Sequence, residues 1–428
     1  MRVIADLHIH SCYSRATSKR MHIEEIARFA KIKGLNIVGT GDFTHPKWLE
    51  EMQQVLVQDA DTGLYRIAKN PESPVYFMTT TEVSTIFTFE NETKKVHHVI
   101  LTPSIETAVQ IKERLAKYGD LASDGRPTLN MDAPHLVEEV MEVSRENMVF
   151  PAHVWTPWFS VFGAFSGFDD IKDCYQDMTK HIYALETGLS SDPPMNWRLS
   201  KLDRFTLVSN SDSHSFWPWR IGREANVFEM KKPSYHEVID AIRLKNKEQF
   251  RFTIETDPAY GKYHWTGHRN CNVALSPQES IKLGNTCPVC RRKLTKGVEQ
   301  RVEELADRPA DFKPENAIGF MRLLPLSEII KAVIGAGSPS TQKVWNIYNH
   351  LIERFSNEYA VLMDTSKNEL SKVVDEKIAE AIVRVREGRA RVIPGYDGVY
   401  GKLVIHEENY KANRVPGRVQ QLNLADFL

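Results

Sequence analysis

Asp6-Leu7-His8-Ile9-His10 follows directly on a short apolar run at residues 3–5. Side chains alternate along a strand, so His8 and His10 share one face. Two neutral imidazoles with carboxylates nearby suit zinc, iron or manganese. Asp6 lies two residues earlier on that face and would ligate an ion or orient His8. Outward from this motif, apolar strands at 35–38, 75–78, 99–101, 148–151, 182–185, 205–208 and 250–254 alternate with helical stripes. The first stripe, 23–32, ends at Gly34, and Pro233 opens a helix reaching 244. Repeated βα units predict a parallel sheet, open or closed into a barrel. Polar residues stand just after these strands: Asp42 and His45, Glu82, His153, Glu186, then Asp212 and His214. Strand ends are where α/β barrels carry chemistry.

The 428 residues are 42% hydrophobic and 26% charged, values that suit two or three globular domains rather than long disorder. A net charge of −1 gives no pointer to nucleic acid, so any basic surface must be local. Five cysteines, three of them clustered, argue against a secreted disulfide framework. The first residues lack the apolar core of a signal peptide, and no run approaches the roughly 20 residues of a membrane span. We expect a cytoplasmic, intracellular protein.

Glu82 has two oxygens and would bridge two ions. His97, His153, Asp212 and His214 would complete a bi- or trinuclear site able to clamp a phosphoryl group. His97 and His98 are neighbours and point to opposite faces. His97 is preferred, because Val99 and Leu101 share its face.

Asp6-Leu7-His8-Ile9-His10, Glu82, Pro151-Ala152-His153 and Ser211-Asp212-Ser213-His214 together resemble the polymerase-and-histidinol-phosphatase (PHP) domain. The resemblance implies a distorted seven-stranded βα barrel that hydrolyses phosphoesters with up to three metal ions. It implies His8, His10, Glu82 and Asp212 on one ion, and Glu82, His97 and His153 on a second. A third ion would take Asp42 or His45 with His214. Asp6, Asp212 and His214 are the expected catalytic side chains. The chain departs from the family at Ser14-Arg15-Ala16 and at Gly41-Asp42-Phe43-Thr44-His45, so the choice between Asp42 and His45 stays open.

Past residue 255 the pattern changes. His268-x2-Cys271, fifteen intervening residues and Cys287-x2-Cys290 match structural zinc spacing, with His264 as the rival fourth ligand. Arg291, Arg292, Lys293 and Lys296 follow at once. From 299 the chain reads as charged and helical, with helices at 329–334, 343–355 and 368–386 and a turn-rich loop at 393–401. We divide the chain into a metallo-phosphoesterase barrel (1–255), a zinc module (256–298), a helical DNA-binding domain (299–418) and a tail (419–428).

Three features favour DNA as substrate. Arg384, Arg386, Arg389 and Arg391 make a local basic patch. Trp155, Trp158, Phe159, Phe162, Phe165 and Phe168 crowd the loop after His153, and Trp217 and Trp219 follow His214; aromatics there would stack a base. The tail, with Gln421, Leu424, Phe427 and Leu428, resembles the motif that docks on sliding clamps such as PCNA, with Leu428 where a second aromatic is usual.

With the 261–271 zinc segment and Pro394-Gly395-Tyr396-Asp397-Gly398, the chain resembles the archaeal endonuclease Q family over its whole length. That resemblance implies a DNA repair endonuclease cutting 5′ of uracil, hypoxanthine, xanthine or an abasic site in double- or single-stranded DNA, near the nucleoid. Hydrolysis would use metal-activated hydroxide, with Zn2+ at both centres, or Mg2+ or Mn2+ at the active one. The rival readings are a PHP-type small-molecule phosphatase and a non-catalytic clamp-associated scaffold.

Overall fold

The strand Arg2–Asp6 lies in the middle of an eleven-stranded sheet, fully apolar and buried from Val3 to Ala5. The computed structural model describes residues 1–404. The sheet runs Gly319–Arg322, Phe250–Glu255, Ala225–Glu229, Arg2–Asp6, Ile37–Gly39, Tyr76–Phe89. From Tyr76–Phe89 it branches, on one side to Leu64–Ile67 and Leu56–Asp59, on the other through Glu92–Thr102 to Met148–Pro151, and Thr128–Leu129 pairs with Tyr76–Phe89 as well. Ala184–Glu186 and Thr206–Val208 pair in parallel with each other.

The sheet is mixed, where repeated βα units had predicted a parallel one. Arg2–Asp6, Ile37–Gly39 and Tyr76–Phe89 are parallel, as expected for strands joined through helices. Tyr76–Phe89 and Glu92–Thr102 instead form a long antiparallel hairpin. Thr79, Thr80, Thr81, Thr85 and Thr88 supply β-branched side chains that favour extended backbone. Glu90 and Asn91, with φ of 49° and 66°, make the two-residue turn that matches strand twist. The hairpin sets Glu82 directly across from Val99, and Ser84 from His97.

The helix Ile23–Lys33 buries Ile23, Ile26, Ala27, Phe29 and Ala30, and stops at Gly34, whose φ of 97° suits glycine. Leu326–Ile334, Gln342–Phe355 and Glu376–Arg386 pack onto the same hydrophobic core as the sheet. The predicted helix over 368–386 is broken. Lys367–Leu370 ends early, and Asp375 caps a new helix by accepting from the Lys377 N–H.

Two sets of polar contacts tie the later residues to the earlier ones. Lys33 Nζ is buried against Glu358 Oε1 (2.7 Å) and the Pro218 carbonyl (2.8 Å), and Tyr348 donates to Glu358 Oε2 (2.8 Å). Tyr359 donates to the Gly222 carbonyl, and the Gly222 N–H donates to Asp6 Oδ2 (2.8 Å). The turn at 394–401 is laced to residues 265–269: Trp265 N–H donates to Gly395 O (2.9 Å) and Arg269 N–H to Asp397 Oδ2 (2.7 Å). A Cβ on Gly395 would sit 2.2 Å from the Gly261 carbonyl, so this close approach requires glycine. Among the described residues no helix is long and apolar enough to cross a membrane.

Candidate metal centre

Glu82 is the middle of the site. Its Oε1 lies 2.9 Å from His97 Nδ1 and 3.1 Å from His153 Nε2. Its Oε2 lies 3.2 Å from His10 Nε2, 3.5 Å from His8 Nε2 and 3.1 Å from Arg126 Nη1. Asp212 Oδ1 stands 3.0 Å from His10 Nε2 and 3.7 Å from His8 Nε2. Donor atoms thus converge in two groups, His8, His10, Glu82 and Asp212, and Glu82, His97 and His153. Glu82 belongs to both, and its two oxygens divide between them.

Each histidine of the first group has its far nitrogen held. His8 Nδ1 meets both oxygens of Glu186 at 3.0 Å, and His10 Nδ1 meets Asp42 Oδ1 at 3.0 Å. A carboxylate on Nδ1 fixes the tautomer that offers the Nε2 lone pair. His8 Nε2 is buried and has no hydrogen-bond partner. An orphaned imidazole nitrogen facing two carboxylates fits a divalent cation. In the second group Thr156 Oγ1 holds His153 Nδ1 at 3.0 Å, leaving Nε2 toward Glu82. Burial would push the Glu82 carboxyl up, but His97, Arg126 and His8 outweigh it and hold it well below the usual range. Burial likewise opposes ionisation of Asp212, and its contact with His10 and the charges beside it prevail.

Backbone strain gathers here. Asp42 (φ 50°), His153 (φ 31°) and Asp212 (φ 46°) are all left-handed non-glycine residues. Such positions persist where surrounding contacts over-determine them, and they collect at functional sites. Asp6 supplies one such contact set: it accepts from Ser211 N–H (3.0 Å), Ser211 Oγ (2.6 Å) and Gly222 N–H (2.8 Å). It anchors the loop that carries Asp212 and stands outside both donor groups.

Residues 325–389 match the family described as MJ0043 C-terminal domain. Over 279 residues the chain is 34% identical to the uncharacterized protein MJ0043 of Methanocaldococcus jannaschii, covering 64% of this chain and 33% of that protein. The chain therefore spans about a third of that relative's length. It is 25% identical over 420 residues to YqxK of Bacillus subtilis, covering 94% of this chain and 99% of that one. The crystal structure of the lesion-specific endonuclease PfuEndoQ from Pyrococcus furiosus superposes with a TM-score of 0.85 at 35% identity, over 96% of this chain and 98% of that one. The chain belongs to the endonuclease Q family. A second endonuclease Q structure, complexed with a 27-mer duplex bearing an abasic lesion at the active site, gives a TM-score of 0.83 at 35% identity, with the same coverage.

In this endonuclease Q family member, not every residue singled out from sequence gathers at the centre. Asp42 has both oxygens engaged, Oδ2 by Ser11 N–H, Ser11 Oγ and Ser14 Oγ. His45 Nε2 lies 3.2 Å from the Ala122 carbonyl, and its ring stacks on Tyr13. His214 stands 29% exposed with its ring 4.3 Å from His10. Among the described residues Asp42, His45 and His214 form no common donor group. His98 is buried between Thr85 Oγ1 (2.8 Å) and Tyr175 OH (2.7 Å), on the face away from Glu82.

Sequence reasoning missed Arg126 and left Glu186 without a role. Arg126 reaches Glu82 from the loop ahead of Thr128–Leu129. That loop is pressed so close that a Cβ on Gly125 would sit 2.2 Å from Asp42 Oδ2. Gly125-Arg126-Pro127 reads as an ordinary turn, so nothing local marks it. A cavity of about 250 Å³ opens beside the centre, lined by His153, Asp212, Arg220, Arg223, Lys262 and Tyr263 among others.

His268, Cys271, Cys287 and Cys290 form a separate four-donor group, with His268 Nδ1 3.3 Å from Cys290 Sγ. His264 points elsewhere, 3.4 Å from Glu299. Backbone N–H groups of Cys290, with a smaller contribution from Val289, bring the Cys287 thiol down to about 6, which favours the thiolate a cation needs. Trp155 is corrected as a DNA contact: it is 1% exposed, and its indole N–H donates to Asn196 Oδ1 (2.8 Å). Arg386 is turned inward too, donating to the carbonyls of Leu362 and Thr365 at 2.7 Å. Arg384 is an ion-pair neighbour of Glu380, while Arg291 and Arg292 lie exposed beside the four-donor group. Gln421, Leu424, Phe427 and Leu428 lie outside the described residues.

Proposed function

We propose that this chain is a DNA repair endonuclease that nicks the phosphodiester 5′ of a deaminated base (uracil, hypoxanthine or xanthine) or an abasic site. The observation that carries the reading is Glu82, with one oxygen in each of two buried donor groups beside the 250 Å³ cavity. Family membership supports it, since the Pyrococcus furiosus relative is described as lesion-specific. Divalent ions there, Zn2+ or alternatively Mg2+ or Mn2+, would polarise the phosphoryl group and ease deprotonation of the attacking water.

The chain's own residues do the rest. Glu186 and Asp42 orient His8 and His10. Arg126 adds a permanent positive charge within reach of a non-bridging phosphate oxygen. His214, at the open side of the site, would hold a proton near the leaving oxygen. The lesion nucleotide would turn out of the duplex into the cavity, which costs least where pairing is already weak. Arg220, Arg223 and Lys262 give that cavity a positive lining for the backbone. The four-donor group would hold a structural Zn2+. The Gln421–Leu428 tail would dock on a sliding clamp.

A nicking assay on duplexes with single modified bases tests this. Lesion duplexes should be cut on the 5′ side and undamaged duplex left intact. His8→Ala and Asp212→Ala should each lose nicking while binding within a few-fold of wild type. Undiminished cleavage by both variants would overturn the assignment of the centre.

A further inference from the structure

The loop from His153 to Phe168 carries six aromatic side chains, and the structure divides them sharply. Trp155, Phe162 and Phe168 are at most 4% exposed and belong to the core. Phe159 lies against His97, with ring centroids 4.9 Å apart. Trp158 and Phe165 do neither. They are 44% and 47% exposed, stacked on each other at 4.9 Å with 16° between their planes. Tyr263, which lines the cavity, meets Trp158 edge-on at 5.4 Å.

This exposed pair is not on a slack loop. His153 Nδ1 holds Thr156 Oγ1, and Thr156 Oγ1 donates to the Trp158 carbonyl (3.0 Å). The Phe165 N–H donates to Pro157 O (3.0 Å), and Phe159 N–H to Ser166 Oγ (2.9 Å). On the strand side, His97 N–H donates to Phe159 O (3.0 Å) and Lys95 N–H to Ser166 O (3.2 Å). Phe159 is held at φ 58°. Cβ atoms on Gly163 and Gly167 would stand 2.6 Å from the Thr156 carbonyl and 2.4 Å from the Gly163 nitrogen. The loop is thus built tightly around two metal-group histidines and presents two apolar rings to water. Large aromatics left in solvent by rigid backbone mark a surface that meets a flat partner.

We propose that Trp158 and Phe165 form a stacking platform for a nucleobase adjoining the scissile phosphate, on the rim of the cavity. This rests on the DNA-nicking reading above and names which aromatics serve it. The occupant follows from position and charge. The platform shares its loop with His153, and Phe159 between its two rings lies against His97. The cavity it borders is lined with Arg220, Arg223 and Lys262, which suit a phosphate backbone. Every base has a π-face, so such a shelf holds the strand in register without reading its sequence. When one nucleotide leaves the stack for the cavity, its neighbour loses a partner, and the Trp158 indole replaces it. Trp158 and Phe165 are positioning residues: they touch the strand and not the reacting atoms.

The test uses the full chain and a lesion duplex made uncuttable by a methylphosphonate at the scissile position, with 2-aminopurine beside the lesion. Wild type should quench the 2-aminopurine fluorescence on binding. Trp158→Ala should leave it bright and weaken binding about ten-fold to a hundred-fold, a typical loss for one stacked base. On cuttable duplex the same variant should raise KM by a similar factor and change kcat no more than about three-fold. Trp158→Phe should restore quenching and KM to near wild type, and Phe165→Ala should fall between. If wild type nicks lesion DNA but Trp158→Ala and the Trp158→Ala, Phe165→Ala double variant match it in quenching and KM, the platform falls and the nicking reading stands. If wild type neither binds nor nicks lesion duplex, both fall.

Discussion

The chain holds cation-donor groups of two opposite kinds. The Glu82 centre is assembled from strands and loops far apart in sequence, and each donor is fixed by a finished sheet. His8, His10, Glu82 and Asp212 are set by Arg2–Asp6, Tyr76–Phe89 and the loop after Thr206–Val208, and Glu186 and Asp42 orient the imidazoles. The His268 group is local. It hangs on the three-residue strands Thr266–His268 and Val273–Leu275, and among the described residues its buried apolar cluster is Val273, Cys287 and Leu294, with Cys271 and Leu275 packed against them. A core that small cannot order the segment without a cross-link. In the first group protein order would come before an ion, and in the second an ion would supply the order.

Three substitutions would break or sharpen this contrast. The largest effect is expected of Glu82→Gln. It removes the charge both active groups share, so nicking should fall on the order of a thousand-fold. Circular dichroism and melting temperature should stay near wild type; a large loss of fold would make the centre resemble the His268 group after all. Cys287→Ser should do the reverse. Metal retention at that group should drop by about a hundred-fold or more, and hydrogen exchange should rise across 266–294 while the sheet keeps its protection. Unchanged exchange there would mean the small core holds by itself. The smallest effect belongs to Glu186→Gln, which keeps the shape of the His8 contact and removes its charge. Metal affinity at the first group should weaken about ten-fold to a hundred-fold, read by titration against a competing chelator.

Legibility followed the same divide. The first motif was readable because period-two alternation puts His8 and His10 on one face whatever surrounds them. His268, Cys271, Cys287 and Cys290 were readable because their spacing is itself the geometry. Arg126 was not, because its partner Glu82 lies 44 residues away and the turn that aims it carries no periodic signal. Asp42 turns its oxygens to His10 and Ser11, a matter of side-chain rotation that spacing does not encode. The antiparallel half of the sheet was hidden for a related reason. Glu90 and Asn91 close a tight hairpin without the Asn-Gly or Asp-Gly signature that would announce it. Trp155 shows the limit of composition: beside exposed Trp158 it looks the same in sequence, and it is a core residue.

The Lys33–Glu358 pair has a consequence for how the chain can be divided. A boundary at 255 suits the change in sequence pattern, and one hydrophobic core continues across it. A chain ending there would keep every donor around Glu82, but would strip Glu358 from the Lys33 ammonium and open the surface that Tyr359 covers. The same cut would free Gly222, and with it the Asp6 anchor, from Tyr359. The helices that follow the sheet are thus its keystone, and heat should take both down together in a single cooperative transition.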